Sequence, residues 1–298
     1  MEAIKPKRTP RWPKVVLAVV VVFIVWWYGL VYLHWNSWIV RVATNIIPFP
    51  AVMLNGESIT YHDLLIEMRQ RLWLAQKQNE GMRLPDDDEM LSRALESLVR
   101  EKALTQLAKQ EDITVEREEL KNALADLQGE QTDEAFDLTL IETLNVNRDT
   151  FVDEILRPLL LAQKLKTFVL ASSDYQSSIR VLAEQAQIRI VGGTLFGVIL
   201  QAAQQSPFEI DGGDYGYISV GNVPDGWSAL LGMGENSTSP VIETIDAFIV
   251  LVVEEVIGSG DDAQFHTKAI IFHKRGLDDI LEQYLDDSEI KQIIKGVE

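Results

Sequence analysis

The sequence predicts a membrane-tethered protein whose outer part joins an all-helical domain to an α+β domain with an antiparallel sheet. Three observations predict it. Residues 15–33 form an uncharged apolar run behind a basic tail, and residues 60–171 carry apolar positions at helical spacing between short polar connections. From Ser172 onward, glycine-rich turns alternate with strand-like runs. The 298 residues, 47% hydrophobic and 24% charged, suffice for about two domains.

The tail, residues 1–14, holds Lys5, Lys7, Arg8, Arg11 and Lys14. The apolar run VVLAVVVVFIVWWYGLVYL (Val15–Leu33) is about 19 residues long, which at ~1.5 Å per residue matches a hydrocarbon thickness of ~30 Å. Basic residues before it argue for a cytoplasmic N-terminus. Trp26, Trp27, Tyr28, Tyr32, Trp35 and Trp38 at its far end suit an interfacial aromatic belt. A cleaved signal peptide is the alternative, but no small-x-small pattern follows. The expectation is a single-pass anchor in the cytoplasmic membrane, N-terminus inside, with extracytoplasmic soluble domains. The juxtamembrane segment 34–50 places Trp35, Trp38, Ile39, Val42 and Ile46 at helical spacing. It reads either as a helix lying on the membrane surface or as a stalk packed on the soluble domain. Pro48 and Pro50 end it.

The helical domain is expected over 51–171. AVMLNGESITYHDLL reads as a short strand, a turn at Asn55-Gly56 and a helix capped by Thr60, with Leu64, Leu65, Met68 and Leu72 as its apolar stripe. A second helix opens at Asp86-Asp87-Asp88, where carboxylates suit the helix dipole, and carries Leu91, Leu95, Leu98, Leu104 and Leu107. A third has Thr114 as its N-cap, a fourth spans about 133–144, and a fifth runs from about 149 to 170 with a bend at Pro158. These stripes read as core.

The α+β domain is expected over 172–298. YQSSIRVLAEQAQIRI and TLFGVILQAAQQ read as helices, although IRIVGG also suits a strand end. Then come a turn set by Gly212, Gly213, Asp214 and Gly216, a strand at 215–219, and a short helix near 227–231. Strands follow near 239–243 and 247–256. GSGDD (258–262) reads as a flexible linker, QFHTKAIIF as a strand, and LDDILEQYLDDSEIKQIIKGV as a closing amphipathic helix.

Composition excludes several functions. A net charge of −18, with five basic residues confined to the tail, argues against nucleic acid. The absence of cysteine removes disulfides, thiolate metal sites and cysteine nucleophiles. His34, His62, His266 and His273 show no metal-binding spacing. His266 and His273, seven apart on one strand, point to opposite faces and read as surface residues. No G-x-S-x-G or P-loop is present, Gly192-Gly193-Thr194 reads as a turn, and the Asp86–Glu89 run lacks the spacing of a calcium loop. Neither a metal nor a cofactor is expected.

Two stretches resemble known families. VMLNGESITYHDLL is similar to the start of the N-terminal domain of the SurA, PpiD and PrsA type of extracytoplasmic foldases, where VNGxxIT leads into the first helix. The helices through LRPLLLAQKL resemble the same group more loosely. GGDYGYISVGNVPDGW followed by SPVIETIDAFIVLVVEE resembles the second half of a parvulin prolyl isomerase domain, with its GGDLGWF, G-x-M-x-P-x-F and GYHI patterns. The resemblance covers most of the chain after residue 50, and the GGD-x-G-[WYF] turn is its most specific piece.

The departures carry as much meaning. Parvulins place one histidine on a first strand (HIL) and one in GYHI. Here the GYHI position reads Ala247-Phe248-Ile249-Val250, so Ile249 replaces that histidine. No HIL strand precedes the helices. The nearest counterpart is FHTKAIIF, which puts Ala269 at the other histidine position. That strand, entering after the linker, then fills the slot of the missing first strand in a permuted parvulin-like sheet. The methionine and phenylalanine of the family's proline pocket fall near Val223 and Trp227. With both histidines replaced, the resemblance implies an apolar groove built from Val223, Trp227, Phe248, Ile249 and Ala269, suited to binding extended chain segments. Binding is therefore favoured over catalysis. The expected function is that of a membrane-anchored chaperone for unfolded or newly exported polypeptides. An active prolyl isomerase and a structural adaptor for one fixed partner are the alternatives.

Overall fold

The computed structural model describes residues 49–78 and 86–293. The membrane run Val15–Leu33 and the juxtamembrane stretch before Phe49 lie outside these residues. No helix among the described residues is long and apolar enough to cross a membrane.

In chain order the elements are β1 (Pro50–Leu54), β2 (Glu57–Thr60), α1 (Tyr61–Gln78), α2 (Asp87–Gln110), α3 (Arg117–Gln128), α4 (Asp133–Leu144) and the short α5 (Arg148–Thr150). A π-helical stretch, Phe151–Leu156, leads into α6 (Arg157–Ala171), followed by α7 (Ser173–Val191) and α8 (Phe196–Gln204). Then come β3 (Ile210–Ser219), β4 (Ser237–Thr238), β5 (Ile242–Glu243), β6 (Ala247–Ile257), β7 (Gln264–His273), α9 (Leu277–Asp286) and β8 (Ile290–Gln292). Short 3₁₀ turns lie at Val220–Asn222, Ser228–Gly232 and Gly260–Asp262. They form two compact units. Of the described residues, one takes those up to Gln110, Glu116–Pro158 and those from Tyr284; the other takes Glu111–Val115 and Leu159–Gln283. The expected boundary between 171 and 172 falls inside the second unit, which takes up the chain again at Leu159, and the residues from Tyr284 return to the first.

The first unit begins as the sequence dictates. Asn55 (φ 51°) and Gly56 (φ 82°) both adopt left-handed backbone, which matches the twist of the β1–β2 hairpin. The Thr60 hydroxyl accepts from the Asp63 N–H at 3.2 Å, while the Asp63 carboxylate accepts from the Thr60 N–H at 3.0 Å, a reciprocal cap on α1. Helices α1 and α2 bury Leu64, Leu65, Leu91, Ala94 and Leu95 against Phe49, Val52, Ile59 and Tyr61. Burial there pushes the Tyr61 phenol up to about 12.

Three expectations fail locally in this unit. Helix α3 starts two residues later than a Thr114 cap requires: Glu116 is the cap, its N–H bonded to Glu119 at 2.8 Å. Around Pro158 the helix does not simply bend. The Arg157 N–H reaches back five residues to the Val152 carbonyl. This wide turn precedes the proline, whose missing N–H and bulky ring an α-helical turn accommodates poorly. The closing helix stops at Asp286, and β8 pairs with β1 antiparallel, Val52 opposite Gln292, giving a sheet of order β2-β1-β8.

The second unit is built on an antiparallel sheet of order β3-β7-β6-β4, with β5 also paired to β6. Helix α7 continues through IRIV to Val191 and ends at Gly192, so this stretch is helix and not strand. The GSGDD stretch is a tight hairpin connection between paired strands and not an extended linker. Gly258 there has φ 82°, and a Cβ on it would meet the Asp262 carbonyl oxygen at 2.6 Å. Each sheet face buries its own core. One face packs Ile210, Phe248, Val250, Ile270 and Phe272 under α7 and α8. The other packs Ile249, Leu251, Val253, Phe265 and Ala269 under Trp227 and Leu230.

Candidate functional site

The glycine-rich stretch is not a turn. Ile210–Ser219 is one edge strand, broken by a bulge between Asp214 and Gly216. Gly212 is demanded by close approach, since a Cβ there would stand 2.5 Å from the Ala269 carbonyl oxygen and 2.9 Å from Leu200 Cδ1. Gly216 is demanded by the bulge, where it takes φ 68° and donates its N–H to Asp214 Oδ1 at 2.9 Å. Gly213 has open space. The motif therefore seats β3 against β7.

Strand β7 lies between β3 and β6, antiparallel to both: Gly213 is opposite Ala269, and Ala269 is opposite Leu251. Ile249 and Ala269 consequently share a face with Trp227, and all three are packed core, at 4%, 0% and 4% exposure. Val223 is half-buried against the same cluster. Phe248 does not join them. Neighbouring residues of a strand face opposite ways, and its ring lies among the residues under α7 and α8. Arg180 (4.8 Å) and Lys274 (5.2 Å) stand over that ring, and both pair with Glu243. The five residues expected to form one groove are thus divided between two cores, and only Val223 is partly open.

Apolar surface is open elsewhere on this unit. Ile188, Val191, Leu195 and Val198 lie close in sequence at the α7–α8 corner and are 66%, 65%, 74% and 50% exposed. The sequence marked both stretches as helices but did not show that this corner stays exposed.

A polar constellation also forms on the helix-bearing side of the sheet. His266 Nε2 lies 3.0 Å from Asp214 Oδ1 on β3, and its Nδ1 lies 3.4 Å from Glu254 Oε2 on β6. Tyr217 stacks on the imidazole with ring centres 4.9 Å apart, and Lys268 pairs with the other oxygen of Glu254. The bulge makes this possible: one extra residue lets Asp214 and Tyr217, three apart, flank the same imidazole. The Asp214 carboxyl is held below the ordinary carboxylate range, first by the Gly216 N–H and then by the nearby His266 and Lys268. On the opposite face, His273 Nε2 lies 3.0 Å from Asp211, with Glu209 close by. The sequence separated the two histidines by face. It gave no signal for Glu254, which reaches His266 only through the β6–β7 ladder, whereas Lys268 lies two residues along β7 on the same face.

A family model described as a SurA-like N-terminal domain matches residues 1–165, more than half of the chain. No curated protein matches it.

Proposed function

The chain belongs to the SurA-like N-terminal domain family, and from that premise we propose that it is a membrane-anchored, extracytoplasmic chaperone. It binds unfolded or newly exported polypeptides and carries a degenerate parvulin-like second domain without isomerase activity. The observation that carries the loss of catalysis is the burial of Ile249 and Ala269 in an apolar cluster with Trp227. Rotation about an X-Pro bond meets a high barrier, and an enzyme that lowers it must present an open pocket to the twisting amide. The position of β7 between β3 and β6 supports the permuted parvulin-like reading. The exposed corner of Ile188, Val191, Leu195 and Val198 is the surface we assign to polypeptide contact, since open apolar area of this kind marks interaction sites.

The test uses the full chain in lipid nanodiscs, added in increasing amounts to a client whose refolding is limited by proline isomerisation. Both refolding rate and light scattering are followed. Suppressed aggregation at an unchanged rate is expected. Acceleration at substoichiometric amounts would show a working isomerase, and no effect on either readout would remove the chaperone reading. For the topology, a membrane-impermeant protease should degrade residues beyond Leu33 in right-side-out vesicles; their protection would overturn it.

A further inference from the structure

We propose that Asp214, Glu254 and His266 form a binding site for one divalent transition-metal ion of the zinc type. One imidazole nitrogen and one oxygen from each carboxylate lie within 4.8 Å of one another. Asp214 faces Nε2 and Glu254 faces Nδ1, so a zinc ion bound to one of these nitrogens, with bonds of about 2.0–2.2 Å, requires the second carboxylate to swing toward it, with a fourth position left for water. Three neighbouring strands each supply one ligand: Asp214 from β3, His266 from β7 and Glu254 from β6. Ligands on paired strands are positioned more firmly than ligands on loops.

Each ligand also has a supporting contact, the second layer that well-formed metal sites show. The Gly216 N–H orients Asp214 at 2.9 Å. Tyr217 stacks on His266 at an interplanar angle of 25°, and its hydroxyl is held by Glu255. Lys268 holds one oxygen of Glu254 and leaves the other facing the imidazole. Two carboxylates outweigh the one ammonium, and an imidazole must be neutral to ligate, so the metal-binding form of the site is net negative. A mixed nitrogen and oxygen donor set selects zinc-like ions over calcium or magnesium, which favour oxygen alone. The second group on this strand pair, Glu209, Asp211 and His273, has both carboxylates exposed and serves as the internal comparison.

The experiment titrates Zn²⁺ into the full chain in detergent, stripped of metal, in competition with a chromophoric chelator. The expected result is one tight equivalent, weakened roughly tenfold or more in His266→Ala and in Asp214→Asn and unchanged in His273→Ala. Asp214→Asn retains an oxygen for the Gly216 N–H, so it tests ligand charge with the bulge intact. At one zinc concentration, Zn²⁺ should raise the Tm of the parent chain more than that of Asp214→Asn. Equal affinity in the parent and His266→Ala, or a loss in His273→Ala as large as that in His266→Ala, would overturn the proposal.

Discussion

Asn55 and Glu289 hold each other through two hydrogen bonds: the Asn55 N–H donates to the Glu289 carbonyl, and the Glu289 N–H donates to Asn55 Oδ1, each at 3.0 Å. The Asn55 amide nitrogen also lies 3.0–3.2 Å from Gln106 Oε1, the Tyr284 hydroxyl and Ser288 Oγ. One turn residue therefore also clasps the returning C-terminal end. Asn55→Gly keeps the left-handed turn and removes the side-chain bonds. With at least two bonds lost at about 1 kcal/mol each, amide exchange over 290–292 should quicken roughly thirtyfold or more, read by hydrogen-exchange mass spectrometry. Unchanged exchange there would show that β8 is held by its ladder alone.

Gln176 is 2% exposed and brackets the backbone. Its Nε2 donates to the Val169 carbonyl at 2.9 Å and the Arg275 carbonyl at 3.0 Å, and its Oε1 accepts from the Arg275 N–H at 2.9 Å. Gln176→Leu preserves volume and strands all three groups. Buried unsatisfied groups cost ~1–3 kcal/mol each, so a loss of at least about 2 kcal/mol is expected in urea unfolding. A midpoint within error of the parent would mean that water replaces the amide.

Gly212→Val drives a side chain into the β7 backbone and Leu200. Overpacking of this kind costs ~1–3 kcal/mol or more, seen as a lowered Tm. Gly221→Ala, where a Cβ meets nothing within 4 Å, is the matched control and should be neutral. Similar behaviour of the two variants would contradict the close seating of β3 on β7.

Leu195→Glu places a charge on the most open residue of the α7–α8 corner. Surface changes of this kind usually stay within about 0.5 kcal/mol of the parent, so Tm should hold while aggregation suppression falls. Full suppression by the variant would move the polypeptide contact elsewhere.

Acid should weaken the second unit. The Asp214 carboxyl is stabilised chiefly by the Gly216 N–H, and that of Glu243 by Lys274 and then Arg180; both titrate below their ordinary range. A carboxyl whose pKa is lower in the folded state adds stability above its unfolded value, and that stability is lost as pH falls through the folded value. Tm should therefore be nearly level above about pH 5 and decline below about pH 4. The decline should be shallower in Asp214→Asn and in Glu243→Gln. Parallel curves for all three proteins would exclude these groups as its source.

Local rules made much of this chain legible. The Asn55-Gly56 turn, the Thr60 cap, the acidic start of α2 and the leucine stripes follow from backbone sterics, capping geometry and the 3.6-residue period, which act within a few residues. The alternation of β6 already separated Phe248 from Ile249, and period two alone would have kept Phe248 out of the groove. Tertiary structure decided what no short window holds: that β7 runs between β3 and β6, that β8 returns to β1, and that Asp214, Glu254 and His266 meet on one side of a sheet. Strand neighbours are chosen by which apolar faces are buried together across long loops. A residue's distant partners therefore follow from the whole core and not from its own stretch of chain.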